Sequence, residues 1–147
     1  MLAVLAVAAA LSAPCPVTNP PTPKAKATFD SAGFNYGTKQ LRAELYWPRG
    51  VLRAGILPDG GAMAIVNRDG SIRAKVGWWR GVPGKLRIGG ERLDGKAPPL
   101  RAVVPDGYGR KGFQPSRLTF PTTGCWRVTG TVGSARLAFV LRVTKIR

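Results

Sequence analysis

Residues 120–143 read FPTTGCWRVTGTVGSARLAFVLRV, and the fold follows from how this stretch pairs with itself. Two runs of strand-forming residues flank Gly133-Ser134. A two-residue connection with glycine first is the signature of a type II′ hairpin turn, whose twist matches that of the strands it joins. The register can then be written out: Val132 faces Ala135, Gly130 faces Leu137, Val128 faces Phe139 and Trp126 faces Leu141. Side chains alternate with period two, so all of these project to one side, and that side is apolar throughout. The other side carries Cys125, Arg127, Thr129 and Thr131 opposite Arg142, Val140, Ala138 and Arg136, and is mostly polar. A slip of one residue would exchange the two faces. A lone hairpin is marginal in water, so the rest of the chain must supply a second layer.

Working outward, the earlier segments have the length and punctuation of further strands. Leu41, Ala43, Leu45 and Trp47 alternate with Arg42, Glu44 and Tyr46 until Pro48-Arg49-Gly50 ends the run. A second strand covers 51–57 and stops at Pro58-Asp59-Gly60-Gly61, and 62–66 leads to the turn Asn67-Arg68-Asp69-Gly70. Ile72, Ala74, Val76 and Trp78 then alternate with Arg73, Lys75, Gly77 and Trp79. Leu86 and Ile88 open a strand interrupted by Gly89-Gly90, the mark of a bulge, and Asp94-Gly95 turns it. Residues 100–104 form another strand, DGYGRKGFQPS is a glycine-rich loop over 106–116, and 117–120 is a short strand entering the hairpin. About seven to nine short strands at roughly ten-residue spacing, with Asp-Gly turns, predict an all-β, immunoglobulin-like antiparallel β-sandwich over residues 29–147. LTFPTTGCW (118–126) resembles the corner where such sandwiches switch sheets, with Trp126 where a tyrosine is usual.

Ahead of that domain, residues 1–13, MLAVLAVAAALSA, are apolar and uncharged. A bilayer span takes about 20 apolar residues, so this run is too short, but it suits the core of a signal peptide. Ala10-Leu11-Ser12 or Leu11-Ser12-Ala13 supplies the cleavage site, and the alternative is a buried N-terminal helix or strand. No Lys or Arg precedes the run, so the natural start is expected upstream. Residues 14–28, PCPVTNPPTPKAKAT, are a proline-rich extended leader. An exported domain with two cysteines, Cys15 and Cys125, suggests a single disulfide. Because Cys125 lies on the outer face of the hairpin, the bridge would clip the leader across the outside of the sandwich. The rival reading is a lipid-anchored Cys15, although Pro14 stands where a lipobox expects a small residue.

The chain of 147 residues carries a net charge of +16, which attracts anionic partners or simply keeps solvated faces soluble. There is no histidine, which removes Ser-His-Asp and Cys-His nucleophiles and an imidazole zinc site. The acids are Asp30, Glu44, Asp59, Asp69, Glu91, Asp94 and Asp106, and Asp59, Asp69, Asp94 and Asp106 each precede a turn glycine. The loop at 106–116 is neither a P-loop nor a dinucleotide fingerprint. Thus no catalytic constellation, metal site or cofactor is implied. Two binding features remain. Trp79 shares a strand face with Arg73 and Lys75, a platform suited to sugar rings, bases or an anionic polymer, unless a loop or the leader covers it. Tyr108, Arg110, Lys111 and Phe113 project from the long loop, where the aromatics either bind or plug the end of the sandwich.

The segments CPVT (15–18), DGSI (69–72), WWRG (78–81), RLDGKAPPLRA (92–102), PDGYGRKGFQ (105–114) and FPTTGCWRVTG (120–130) resemble a family of uncharacterised exported or lipoprotein-type bacterial proteins. The resemblance implies export and a β-sandwich, and carries no activity. The reading is a non-enzymatic, exported binding or cell-envelope module whose partners are anionic envelope polymers or other proteins. Export disfavours nucleic acid, and a membrane anchor requires a lipidated Cys15. The alternative is an enzyme using scattered carboxylates.

Overall fold

The computed structural model describes residues 14–21 and 34–147. The expected signal peptide, residues 1–13, lies outside them, as do Asp30 and the domain start expected at residue 29. The described chain forms β1 (Tyr36–Gly37), β2 (Leu41–Ala43), a 3-10 turn (Pro48–Gly50), β3 (Val51–Ala54), β4 (Ile65–Val66), β5 (Ile72–Arg80), β6 (Arg87–Arg92), β7 (Arg101–Val103), β8 (Gly112–Phe120), β9 (Gly124–Val132) and β10 (Ala135–Lys145). One sheet is ordered β1-β2-β5-β8-β7 with β4 on the start of β5, and the other β3-β10-β9-β6. The orders β2-β5-β8-β7 and β10-β9-β6 are the A-B-E-D and G-F-C sheets of an immunoglobulin-like sandwich. β3 departs from the antiparallel expectation, because it joins β10 in parallel. Arg49 at φ 55° and Gly50 at φ 73° make this possible, turning the chain from the first sheet into the second between β2 and β3.

The final hairpin pairs as its sequence requires, from Ala135 against Val132 to Leu141 against Trp126. Gly133 takes φ 58° while Ser134 stays negative, as a type II′ turn demands. Its apolar face meets the first sheet around Trp47, Trp78, Trp126, Phe120 and Phe139, none more than 1 % exposed. Phe139 lies 5.8 Å from the ring of Trp47 and 5.9 Å from that of Trp78. Trp78 donates its Nε1–H to Ser116 Oγ at 2.9 Å, and that hydroxyl donates to the Val76 carbonyl at 2.8 Å, so the buried indole is satisfied. Trp126 donates to the Thr122 carbonyl at 3.0 Å, doing with an indole what the corner tyrosine does with its hydroxyl.

Gly130 is the place where the second sheet admits Trp78: a Cβ there would stand 2.6 Å from the indole ring. Gly130→Ala is therefore expected to cost about 1–3 kcal/mol through overpacking. Urea unfolding measures this as a lower midpoint at unchanged slope, and a wild-type midpoint would mean that Trp78 can step aside.

Cys15 and Cys125 are joined, with an S–S distance of 2.03 Å and Cα atoms 5.6 Å apart. The leader crosses the outside of the hairpin as expected. Thr18 donates its amide to the Val140 carbonyl at 2.8 Å, and its Oγ1 accepts the Val140 amide at 2.9 Å, at a stretch of β10 edge that β3 does not reach. Val17 packs on Gly50, where a Cβ would sit 2.5 Å from the valine.

β3 ends at Ala54 rather than 57, β1 has no counterpart in the sequence reading, and three further segments differ from it. β6 runs in register through Gly89 and Gly90, opposite Thr129 and Val128, without a bulge. Gly90 instead serves a close approach: Leu100 donates its amide to the Gly90 carbonyl at 3.0 Å, and its side chain lies 3.0 Å from where a Cβ would be. β8 starts at Gly112 rather than 117, because β5 continues to Arg80 and pairs with the second half of the glycine-rich segment. β2 ends at Ala43, although burial keeps alternating to Trp47. There Asn35 replaces a neighbouring strand, accepting the Leu45 amide at 2.8 Å and donating to its carbonyl at 2.9 Å.

Candidate functional site

The outer face of the first sheet is built by strand parity. Along β5, Ile72, Ala74, Val76 and Trp78 are buried, leaving Arg73, Lys75, Gly77 and Trp79 on the outside. Opposite these, in order, lie Thr119, Arg117, Pro115 and Phe113 of β8. One end of the face is thus cationic, with Lys75 against Arg117, and the other aromatic, with Trp79 against Phe113. Between them is a hollow of about 730 Å³, walled by Tyr46 and Met63 and floored by Gly77 and Pro115. A Cβ on Gly77 would come within 3.3 Å of both Phe34 and Phe113, so glycine keeps the floor flat.

The structure brings together the aromatic members of the two candidate binding features that the sequence separates. Phe113 is a strand residue, and its ring lies 5.9 Å from Tyr108 and 6.2 Å from Phe34, which in turn lies 5.9 Å from Trp79. The aromatics form a continuous string from the loop to the sheet. Trp79 is half-buried beneath Phe34, whereas Tyr108 is 43 % exposed. Arg73 is half-buried, and Lys75, Arg110 and Lys111 are exposed. Arg110 borders a separate hollow of about 330 Å³ with Lys85, Asp106, Gln114 and Tyr108 itself. Lys111 borders neither.

Arg80 shapes the loop and escaped the sequence reading. It is only 2 % exposed, with no carboxylate beside it among the described residues. Its guanidinium donates to the carbonyls of Tyr108 at 2.8 Å, Gly109 at 2.9 Å, Gly84 at 3.1 Å and Gly112 at 3.3 Å. Burial pulls its pKa below the ordinary arginine value, and the ring of carbonyl dipoles takes the place of a counter-ion. The loop is therefore wound around a cation. The signal was present: Arg80 has the inward parity of Trp78, and an arginine at a core position needs an explanation.

Tyr46 donates its hydroxyl to the Met63 carbonyl at 3.0 Å, tying together the two segments that wall the hollow. Burial, helped by the nearby Glu44 charge, pushes its pKa up to about 12. The unfolded chain loses this proton near pH 10, so stability is intact below pH 10 and falls as pH rises towards 12. The loss is about 1.4 kcal/mol per pH unit in that window. Tyr46→Phe should remove this increment from an alkaline unfolding series; an unchanged slope would assign the loss to other groups.

Four of the other carboxylates, Asp59, Asp69, Glu91 and Asp94, are engaged locally. Asp69 is held below its ordinary pKa by hydrogen bonds from the Ser71 hydroxyl and amide. Burial would raise Asp94, but hydrogen bonds from Arg92 and the Cys125 amide prevail and lower it. Glu91 pairs with Arg127 at 3.0 Å, and Asp59 accepts the Gly61 amide at 2.9 Å. Among the described residues no three metal-ligating side chains cluster. No family model, curated protein or solved structure matches the chain.

Proposed function

We propose that this chain is an exported, non-enzymatic immunoglobulin-like binding module of the cell envelope, and that the hollow on its first sheet takes an acidic polysaccharide. The observation that carries this reading is the aromatic string from Trp79 to Tyr108, which through Phe113 borders a hollow whose far end is Lys75 and Arg117. Aromatic faces suit sugar rings, and the cations suit their carboxylates. Export is supported by the bridge between Cys15 and Cys125, since disulfides persist in oxidising compartments. The same bridge favours a released module over a lipid-anchored one, because one sulfur cannot carry both linkages. Three hollows on the described surface are each lined by a single acid, Asp106, Glu44 or Glu91, whereas glycosidase chemistry takes a pair, which favours the binding reading over a carboxylate enzyme.

The test is affinity electrophoresis through gels containing alginate, at low and high salt. Lys75→Gln/Arg117→Gln should lose most of the retardation, and the wild type should lose it as salt rises. Tyr108→Ala, at the outer end of the aromatic string, should weaken binding severalfold without lowering the thermal midpoint, whereas Arg110→Ala, which borders the smaller hollow beside Tyr108 but lies off the string, should change little. Wild-type retardation in both the charge pair and Tyr108→Ala would overturn the assignment.

A further inference from the structure

The opposite face of the sandwich carries a second feature, independent of the hollow. Outward residues of the second sheet line up in rows across β6, β9 and β10. Arg87, Thr131 and Arg136 make one row, Gly89, Thr129 and Ala138 the next, and Glu91, Arg127 and Val140 the third. The middle row is a floor of small side chains between two rows that carry guanidinium groups, enclosing a shallow trough of about 500 Å³. Strand spacing puts Arg87 and Arg136 roughly 10 Å apart across the sheet, with the Thr131 hydroxyl between them, and Arg127 roughly 14 Å away along the strands. The leader, fastened at Cys125 and Val140, bounds the trough on the Arg127 side.

Arg127 is paired with Glu91 at 3.0 Å, but Arg87 and Arg136 make no ion pair among the described residues. Farther along the same face lie Arg142 and Arg53, while Glu91 is its carboxylate. A Cβ at Gly89 would meet nothing within 4 Å, so the floor is open to an occupant rather than filled from within.

We propose that this trough is a binding site for a linear phosphate-bearing polymer, with Arg87 and Arg136 as the anion clamp and Thr129 and Thr131 as hydroxyl donors to the bridging chain. Guanidinium forks match phosphate oxygens bidentately, and threonine hydroxyls add neutral donors between them. The charge is complementary, and the flat floor admits an extended chain. A membrane surface is the less suitable occupant, because insertion takes apolar side chains beside the cations. Among the described residues the large exposed apolar side chains, Ile56, Ile65, Val66, Val103 and Tyr108, all lie off these rows.

The experiment titrates the disulfide-bonded chain with short linear inorganic polyphosphate, followed by calorimetry over a range of salt. Arg87→Gln/Arg136→Gln is expected to lose at least tenfold in affinity and to reduce the slope of log K against log salt by about two. Gly89→Glu places a carboxylate in open space on the floor, so it should fold normally and bind at least as poorly. Lys75→Gln/Arg117→Gln, altered on the other face, should lose less than threefold in polyphosphate affinity while losing alginate retardation, which separates this site from the hollow. Arg68→Gln/Lys96→Gln removes the same charge elsewhere and should have less than a threefold effect. Wild-type affinity in the trough variants would overturn the proposal, as would equal losses in the Arg68/Lys96 control. Tighter binding to phosphatidylglycerol vesicles than to polyphosphate through the same arginines would assign the face to a membrane instead, and also overturn it.

Discussion

Replacing both Cys15 and Cys125 with serine is expected to destabilise the domain by about 4–5 kcal/mol, the chain-entropy value for closing a loop of this order. The separation of 110 residues makes the bridge a constraint on nearly the whole described chain. In the folded protein it also holds the leader against β10, where Thr18 pairs with Val140 and Val17 fills the space above Gly50. Urea unfolding of the oxidised wild type, the reduced wild type and the double serine variant measures the effect. The last two should agree, with a midpoint well below that of the first. A loss under about 1 kcal/mol would mean that the unbridged ensemble is already compact, since the entropic gain acts through the unfolded state. An increase in denaturant slope is expected alongside, because an unbridged chain exposes more surface on unfolding.

Arg80→Met should cost about 1–3 kcal/mol for each carbonyl that it leaves without a donor and shut off from water. Methionine keeps much of the volume but takes their donor away from the carbonyls of Tyr108, Gly109 and Gly84. Arg80→Lys should recover little, because three donors on a single nitrogen cannot span carbonyls arrayed around a planar fork. Hydrogen exchange adds a local readout. The Gly84 amide, bonded to the Arg110 carbonyl at 2.8 Å, should exchange faster in both variants, while amides at the centre of β9 and β10 keep their relative protection. Arg80→Met within 1 kcal/mol of wild type would show that water can replace the guanidinium, and that the loop does not depend on it.

The proposed binding face was only partly legible from the chain because its members come from segments distant in sequence. The outward parity of Trp79, Arg73 and Lys75 follows from alternation within one strand, and the structure keeps it. Arg117 and Pro115 share that parity on β8, but the register that sets them against Lys75 and Gly77 depends on where β8 begins. A proline and several glycines hide that start. Phe34 and Met63 reach the face from segments with no strand pattern of their own, so nothing local marks them. The trough behaves differently. Its floor needs β6 in register through Gly89-Gly90, and read as a bulge those glycines would have displaced Arg87 from Thr131.

The sequence by itself determined the final hairpin, down to its register and turn type, the two-layer class of the fold, the inward side of β5 and the outward placement of Cys125. All of these are local, because period-two alternation and glycine at a positive-φ turn position are properties of neighbouring residues. Tertiary structure alone decided the parallel joining of β3 to β10, the winding of the 106–112 loop around Arg80, and the meeting of Trp79, Phe34, Phe113 and Tyr108 on one face. Those depend on which strand lies beside which. That choice is made by burying large groups such as Trp78 against Gly130 across the two sheets, at separations no local pattern encodes.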